Sequence, residues 1–359
     1  MFEEKKKSNV RRSVMIVVVG CAAVFASFPM AAWAAITIET VPVGDAGNAA
    51  NTRGGGGAVA YNYNIGKYDV TNAQYCEFLN AKASHSDLYG LWNSDMSGST
   101  YGEGGISRSG TGPYTYKVNA GKANQPVVFV SLYDAIRFAN WLSNGQGSGD
   151  TENGAYAISG SGPDWTVAKP TPAERAAWAA GNKTYWLIPT LDEWCKAAYY
   201  KGGGTNSGYW LYPTQSDTAP TWERSTSTGP NPGANSSNFY DPMRGYSVTS
   251  STSWNPSQDY LTDVGAYPNS VSAYGTLDQG GDVVQWSDRL LDSWCNVCGG
   301  SFADVSNEMA SYGVAVPASG ESYGIGFRVA MVPEPGSMAL LATGTVISLL
   351  VCAWRHRRP

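Results

Sequence analysis

Cys295 and Cys298 are the residues of this chain whose type and spacing are best suited to chemistry. A Cys-x-x-Cys can close as a disulfide or hold a soft metal ion, because closely spaced thiolates suit both. The pair lies in residues 278–302, DQGGDVVQWSDRLLDSWCNVCGGSF, which also carry two glycine pairs, the segment Val-Val-Gln-Trp and a Gly-Gly-Ser-Phe. Glycine pairs permit backbone conformations closed to other residues, so two of them beside large aromatics mark a tightly turned, buried hub. Other reaction chemistry lacks its parts. The only histidines are His85, in a Ser-rich loop, and His356, near the C-terminus, too few for a zinc site or a Ser/His/Asp set. No glycine-rich stretch follows a strand with phosphate-loop spacing. The acidic pair Asp192 and Glu193 falls within a helix cap, which accounts for it.

Several elements must position these thiols. Residues 36–41 alternate as a strand, and after a Gly/Asn-rich loop residues 59–68 form a second. Thr71 with Gln74 three residues on reads as a capping box, opening a helix with Tyr75, Phe78 and Leu79 on one face. The device recurs at Ser131 and Asp134, ahead of a stripe of Ala135, Phe138, Ala139 and Leu142. Thr171, Pro172 and Glu174 start a short helix that stops at Gly181, and Thr190 with Glu193 starts one bearing Trp194, Ala197 and Ala198. Four short capped helices between long irregular segments, with no repeat period, predict an irregular α+β fold of low secondary-structure content. Segments 84–122 and 201–262 are long and rich in Gly, Ser, Tyr and Trp. Loops of that length in a compact domain are functional or pinned, and their rings (Tyr209, Trp210, Tyr212, Trp222, Phe239, Tyr240, Trp254) favour order. The last strands are expected at 299–303 and 325–331, with Arg328 as a structural ion-pair partner.

The two ends read as targeting segments. Residues 1–34 combine a basic start, an apolar run over 14–28 and Ala32-Trp33-Ala34, which predicts a secretory signal cut after Ala34; an uncleaved membrane anchor is the alternative. At the other end, Val332-Pro333-Glu334-Pro335-Gly336 precedes an uncharged apolar run over 338–354 and then Arg355-His356-Arg357-Arg358. That run is at the short limit for a membrane helix, with the arginines held on the cytoplasmic side. The three parts in this order resemble the PEP-CTERM sorting tail of Gram-negative bacteria. The resemblance implies processing near Pro-Glu-Pro by a membrane protease of the exosortase type and delivery to the envelope or an extracellular matrix. Between the ends, residues 35–331 keep 16 of the 24 basic and 26 of the 29 acidic residues, a net charge of about −10. That balance argues against nucleic acid and anionic membrane surfaces as partners.

Taken together, the internal blocks resemble the formylglycine-generating enzyme (sulfatase-modifying factor) family. Ile65-Gly66-Lys67-Tyr68-Asp69-Val70-Thr71-Asn72 is similar to its opening strand–helix signature, and Gln125-Pro126-Val127-Val128 with Ser131, Asp134, Ala135 and Trp141-Leu142 to its second. Leu187-Ile188-Pro189-Thr190 with Glu193-Trp194 matches a third. Val264-Gly265, Tyr274-Gly275 and Gly281-Asp282-Val283-Val284-Gln285-Trp286 match the block ending in Trp-Glu-Trp; Gly299-Gly300-Ser301-Phe302 and Gly326-Phe327-Arg328-Val329 close the series. The blocks keep their order over nearly all of residues 40–331.

The resemblance implies a single domain of that family's fold, related to C-type lectins. It also implies structural calcium, with Asn238 and Asp259 serving one ion and Asp282 and Gln285 the other. Oxygen ligands on irregular loops suit such a hard cation. The family block has Asn and Glu where this chain has Asp282 and Gln285, and the lost carboxylate weakens the second site. The oxidase members of the family use a thiolate pair that binds copper(I), placed after the Gly-Gly-Ser block. Here residues 301–328 contain no cysteine, and Cys298 stands before Gly299 instead. The histidine cluster of iron-dependent relatives is absent too. With four cysteines between the two ends (Cys76, Cys195, Cys295, Cys298), a structural disulfide or idle thiols is the expectation. The favoured function is thus a non-catalytic binding or structural module for a glycan or protein partner. The alternative is a formylglycine-generating oxidase acting on sulfatase cysteines through Cys295 and Cys298.

Overall fold

A computed structural model of the chain describes residues 35–332 apart from 54–55, 162–164, 182, 224–232 and 311–312. The expected signal segment and the apolar run of the sorting tail lie outside the described residues. Among the described residues no helix is long and apolar enough to cross a membrane.

All four helices start at the expected residues. α1 (Asn72–Lys82), α2 (Leu132–Ser143), α3 (Pro172–Ala179) and α4 (Leu191–Tyr199) each follow a Ser or Thr cap. In every case the cap side chain accepts from the backbone N–H three residues on, and the side chain at that position returns the bond. Reciprocal capping satisfies two donors that a short helix would otherwise leave bare. The buried face of α1 carries Tyr75, Phe78 and Leu79, as the spacing predicts. Its Phe78 meets Phe138 of α2 at 5.4 Å between ring centres, and Phe138 meets Phe327 at 5.4 Å. Burying each of these side chains contributes about 1.5–3 kcal/mol.

Two four-stranded sheets organise the rest. The first contains β1 (Thr40–Val43), β2 (Tyr63–Gly66), β3 (Tyr185–Leu187) and β8 (Ala330–Val332) in the order β1-β2-β8-β3, with antiparallel neighbours throughout. The second contains β4 (Val284–Leu291), β5 (Trp294–Cys298), β6 (Val314–Pro317) and β7 (Ile325–Gly326) in the order β6-β5-β4-β7. Here β4 and β7 run parallel and the other neighbours antiparallel. The single strand expected over 325–331 is therefore two. It pairs with β4 through Ile325 and Gly326, leaves that sheet at Phe327-Arg328-Val329, and joins the first sheet at Ala330.

The strand expected over 299–303 is absent. Gly299 and Gly300 take φ of +101° and +67°, a left-handed conformation that ends the ladder, so the strand lies just before them, at 294–298. The long segments are pinned by rings, as at Trp254, which stacks on Tyr260 at 4.9 Å.

Candidate functional site

β5 alternates its faces, so residues three apart on it point to opposite sides. Cys295 pairs across the ladder with Leu290 and Cys298 with Gln285. Cys295 is buried in the main core and donates its S–H to the Ser287 carbonyl at 2.9 Å. Cys298 is buried in a second cluster with Trp194, Cys195 and Tyr199. The two are not bonded to each other, since Cys295 remains a thiol. Burial pushes the Cys295 thiol up to about 12 and raises Cys298 as well. A shared copper(I) needs two ready thiolates on one side, and this strand supplies neither condition.

The four expected calcium ligands are regrouped. Asn238 and Asp282, assigned above to different ions, touch: Asn238 Nδ2 donates to Asp282 Oδ1 at 2.6 Å. Asn238 Nδ2 also donates to the Tyr260 carbonyl at 2.9 Å, and the Thr262 N–H to Asp282 Oδ1 at 3.0 Å. Each side chain keeps one buried oxygen without a partner, Asn238 Oδ1 and Asp282 Oδ2. Burial first, then the neighbouring Asp278 carboxylate, raises Asp282 to about 8, against the pull of the Thr262 N–H. At that value the carboxyl holds a proton at neutral pH, and calcium takes about 6–8 oxygens where this pair offers two.

Asp259 and Gln285 already have protein partners. Asp259 Oδ2 lies 2.7 Å from the Lys122 ammonium and 2.8 Å from Gln125 Nε2, and its Oδ1 accepts from the Leu261 N–H at 3.1 Å. Gln285 Oε1 accepts from Trp194 Nε1 and from Arg328 Nε, both at 2.7 Å. Protein cations already stand at both oxygens, and a second cation there would be repelled. Among the described residues no three His, Cys, Asp or Glu side chains are grouped to hold a metal.

There are two buried ion networks, of which the first had no signal in the sequence. Arg175, fully buried on α3, pairs with Glu193 at 2.9 Å and with Asp288, and donates to the Tyr156 hydroxyl and the Ile188 carbonyl. Glu193, read above only as a cap, also accepts from the Tyr61 hydroxyl at 2.7 Å. Tyr61 and Asp288 line an open cleft of about 750 Å³ between the starts of α3 and α4. In the second network Arg328 meets Asp69 at 3.3 Å, the ion pair expected of it, and donates to the Gly66 and Leu277 carbonyls. Burial pushes Asp69 up and Arg328 down, and each opposes the other's shift.

An aromatic tier lies beside the Gly-Gly-Ser-Phe turn. Trp254, Tyr260 and Phe302 lie with nearly parallel planes and ring centres 4.9, 5.5 and 6.2 Å apart, so each ring touches the other two, and Tyr323 stands 5.2 Å from Trp254. Trp254 itself is 38 % exposed. Glu103, whose charge reaches Tyr246 and Tyr323, is wholly buried, and its own N–H and that of Tyr260 are the backbone donors that oppose the effect of burial on it. Burial raises it to about 7.

Comparison with known proteins covers the same residues. Residues 42–332 match the sulfatase-modifying factor enzyme 1-like domain, and residues 332–358 match the PEP-CTERM protein-sorting motif. That motif marks the protein for export, for an exosortase-type sorting system and for the cell envelope of a Gram-negative bacterium. Among solved structures, CarF is 19 % identical, with 82 % of this chain and 98 % of that one covered at a TM-score of 0.46. Treponema denticola variable protein 1 is 17 % identical (84 % and 97 % covered, TM-score 0.44), and PvdO from Pseudomonas aeruginosa 16 % (82 % and 92 %, TM-score 0.41). No curated protein matches the chain. The match over residues 42–332 takes in most of the chain, which belongs to the sulfatase-modifying factor enzyme 1-like domain family.

Proposed function

We propose that this protein is a non-catalytic binding module of the envelope or extracellular matrix, exported by a cleaved signal and released from its membrane anchor by an exosortase-type protease. Its ligand face is the aromatic tier around Trp254, and the ligand class that suits it best is a glycan. The separation of Cys295 and Cys298 onto opposite faces of β5 carries the non-catalytic half of this reading. The binding half is supported by the half-exposed Trp254 ring, held flat by Tyr260 and Phe302 beneath it. A rigid, amphipathic ring suits the apolar face of a sugar, and its ordering has no further cost on binding.

A glycan array probed with the purified full-length chain tests this, with Trp254→Ala as the control. Binding that the variant loses supports the reading. Binding to neither array nor matrix extract overturns it, whereas a matrix protein captured without glycan moves the partner to the protein class. The oxidase alternative has its own assay, copper(I) uptake and oxidation of a cysteine-containing sulfatase peptide. Turnover that disappears in Cys295→Ser or Cys298→Ser would overturn the non-catalytic reading.

A further inference from the structure

The second sheet ends in an open edge, the strand β6, which carries no charge although residues 35–331 hold a net charge of about −10. We infer that a second copy of this chain pairs with that edge, β6 against β6, in a symmetric antiparallel ladder centred on Ala315. The contact uses none of the residues of the aromatic tier.

The register fixes which backbone groups face outward. β6 pairs with β5 as Trp294↔Pro317, Cys295↔Val316, Asn296↔Ala315 and Val297↔Val314. One step further along, the Ala318 N–H donates to the Ser293 carbonyl at 2.8 Å. The backbone groups of successive residues point to opposite edges of a strand. Ala318, Val316 and Val314 therefore turn theirs toward β5, while Ala315 and Pro317 turn theirs away. Both of the latter are exposed. Pro317 has no N–H to offer, and its nitrogen faces the side where an edge strand tolerates proline. Ala315 is thus the residue of β6 that can both donate and accept at the open edge. An antiparallel copy with Ala315 facing Ala315 makes both bonds reciprocally, and it sets Val314 opposite Val316 of the second copy.

Charge and apolar surface favour a copy as the occupant. Native sheet edges are blunted with charges, lysine above all. Here neither residues 293–303 nor residues 309–320 contain a charged residue. Two copies this acidic repel each other, and an uncharged strip is where that repulsion opposes contact least. The ribbon is apolar as well. Leu291, Trp294 and Val314 are 61, 51 and 55 % exposed, and they make up half of the six large apolar side chains that stand exposed among the described residues. Leu291, Trp294 and Pro317 are partners across β4, β5 and β6, so they form one row that runs out to the edge. In the symmetric pair that row meets Gly313 of the second copy, which has no side chain to obstruct the Trp294 ring. Covering this row adds to the two hydrogen bonds, which alone would hold a strand pair only marginally.

Sedimentation velocity of the full-length chain in detergent, over a wide range of concentration, should show a monomer–dimer equilibrium. Ala315→Lys sets like charges face to face across the axis and should leave only monomer, with an unchanged circular dichroism spectrum because position 315 is exposed. Trp294→Ala should weaken the dimer by about tenfold. In the symmetric pair the two Ala315 Cα atoms lie about 5.5 Å apart, within disulfide reach. Mild oxidation of Ala315→Cys should therefore join position 315 to position 315, read by mass mapping of unreduced peptides. Ser319→Cys, exposed but beyond the ladder, should not join to itself. A chain that stays monomeric throughout overturns the inference. So does a dimer that survives Ala315→Lys, which would place the contact elsewhere, as in the apolar run over 338–354, and so does an Ala315→Cys dimer without the 315-to-315 link.

Discussion

Cys295 and Cys298, three positions apart on one strand, face different cores: Cys295 shares the main cluster with Trp286 and Val297, and Cys298 shares the other with Trp194 and Cys195. The Cys-x-x-Cys motif brings two thiols together where its backbone turns. On an extended strand with unbroken pairing to β6, the same spacing holds them apart. The context, not the motif, decides the chemistry.

Native-state alkylation follows from this arrangement. With Cys295 buried and its thiol near 12, almost no thiolate exists at pH 8. Iodoacetamide at pH 8, followed by mass spectrometry, should leave Cys295 unmodified in the folded chain and label it fully in denaturant. Rapid labelling of Cys295 without denaturant would show an accessible, activated thiol and contradict the geometry.

The Arg175 network predicts a large, coupled effect on stability. Arg175→Met leaves Glu193 and Asp288 buried without their partner, and removing one member of such a group costs about 3–5 kcal/mol. Glu193→Gln leaves Arg175 partly neutralised by Asp288, so its cost is smaller. Joined in one molecule, the two changes should cost less than the sum of their separate effects, because the second removes a charge the first exposed. Denaturant midpoints of the four proteins decide it; strict additivity would mean that the pair is not coupled.

Glu103 predicts a pH dependence with a defined sign. Its folded-state value is raised from 4.5 to about 7, so between those values the native chain holds a proton that the unfolded chain has lost. The stabilising contribution is complete below about 4.5 and is lost as pH rises toward 7. Glu103→Gln abolishes the buried charge. It should raise stability by about 2 kcal/mol at pH 8 and leave it nearly unchanged at pH 4. Comparing the variant with the unaltered chain at both values cancels the other raised carboxyls, Asp134 and Asp278 among them. A gain of equal size at both pH values would show that Glu103 titrates alike in the folded and the unfolded chain.

What the sequence disclosed is what physics makes local. Thr71 and Gln74, or Thr190 and Glu193, are three residues apart, and the capping bonds form between them with no help from the rest of the fold. The order of the family blocks was legible for the same reason, and so was the fold class. The strand expected at Gly299 failed because apolar pattern does not report φ, and both glycines there are left-handed. The site was less legible. Lys122 meets Asp259, and Arg175 meets Asp288, only after the long segments have closed, and nothing near either residue marks its partner. Asn238 and Asp282 were recognised as ligand types, but their grouping depends on the Tyr260–Thr262 backbone that lies between them.

The glycine hub supplies a steric test. Gly281 has φ of +80°, and a Cβ placed on it would lie 2.3 Å from the Asn238 carbonyl oxygen and 2.4 Å from Ser237 Oγ. Its N–H bonds the Gly299 carbonyl at 2.9 Å, so the two glycine pairs are tied directly to each other. Alanine here must both hold a left-handed conformation and push backbone atoms apart, with a cost of about 3 kcal/mol or more. Gly44 is the control, because its φ is ordinary and a Cβ would meet nothing within 4 Å. Gly44→Ala should be neutral or stabilise by about 0.5 kcal/mol through the unfolded chain. Thermal melts of the two variants should therefore move in different directions. If Gly281→Ala melts with the unaltered chain, the loop that sets Asn238 against Asp282 is not held at Gly281.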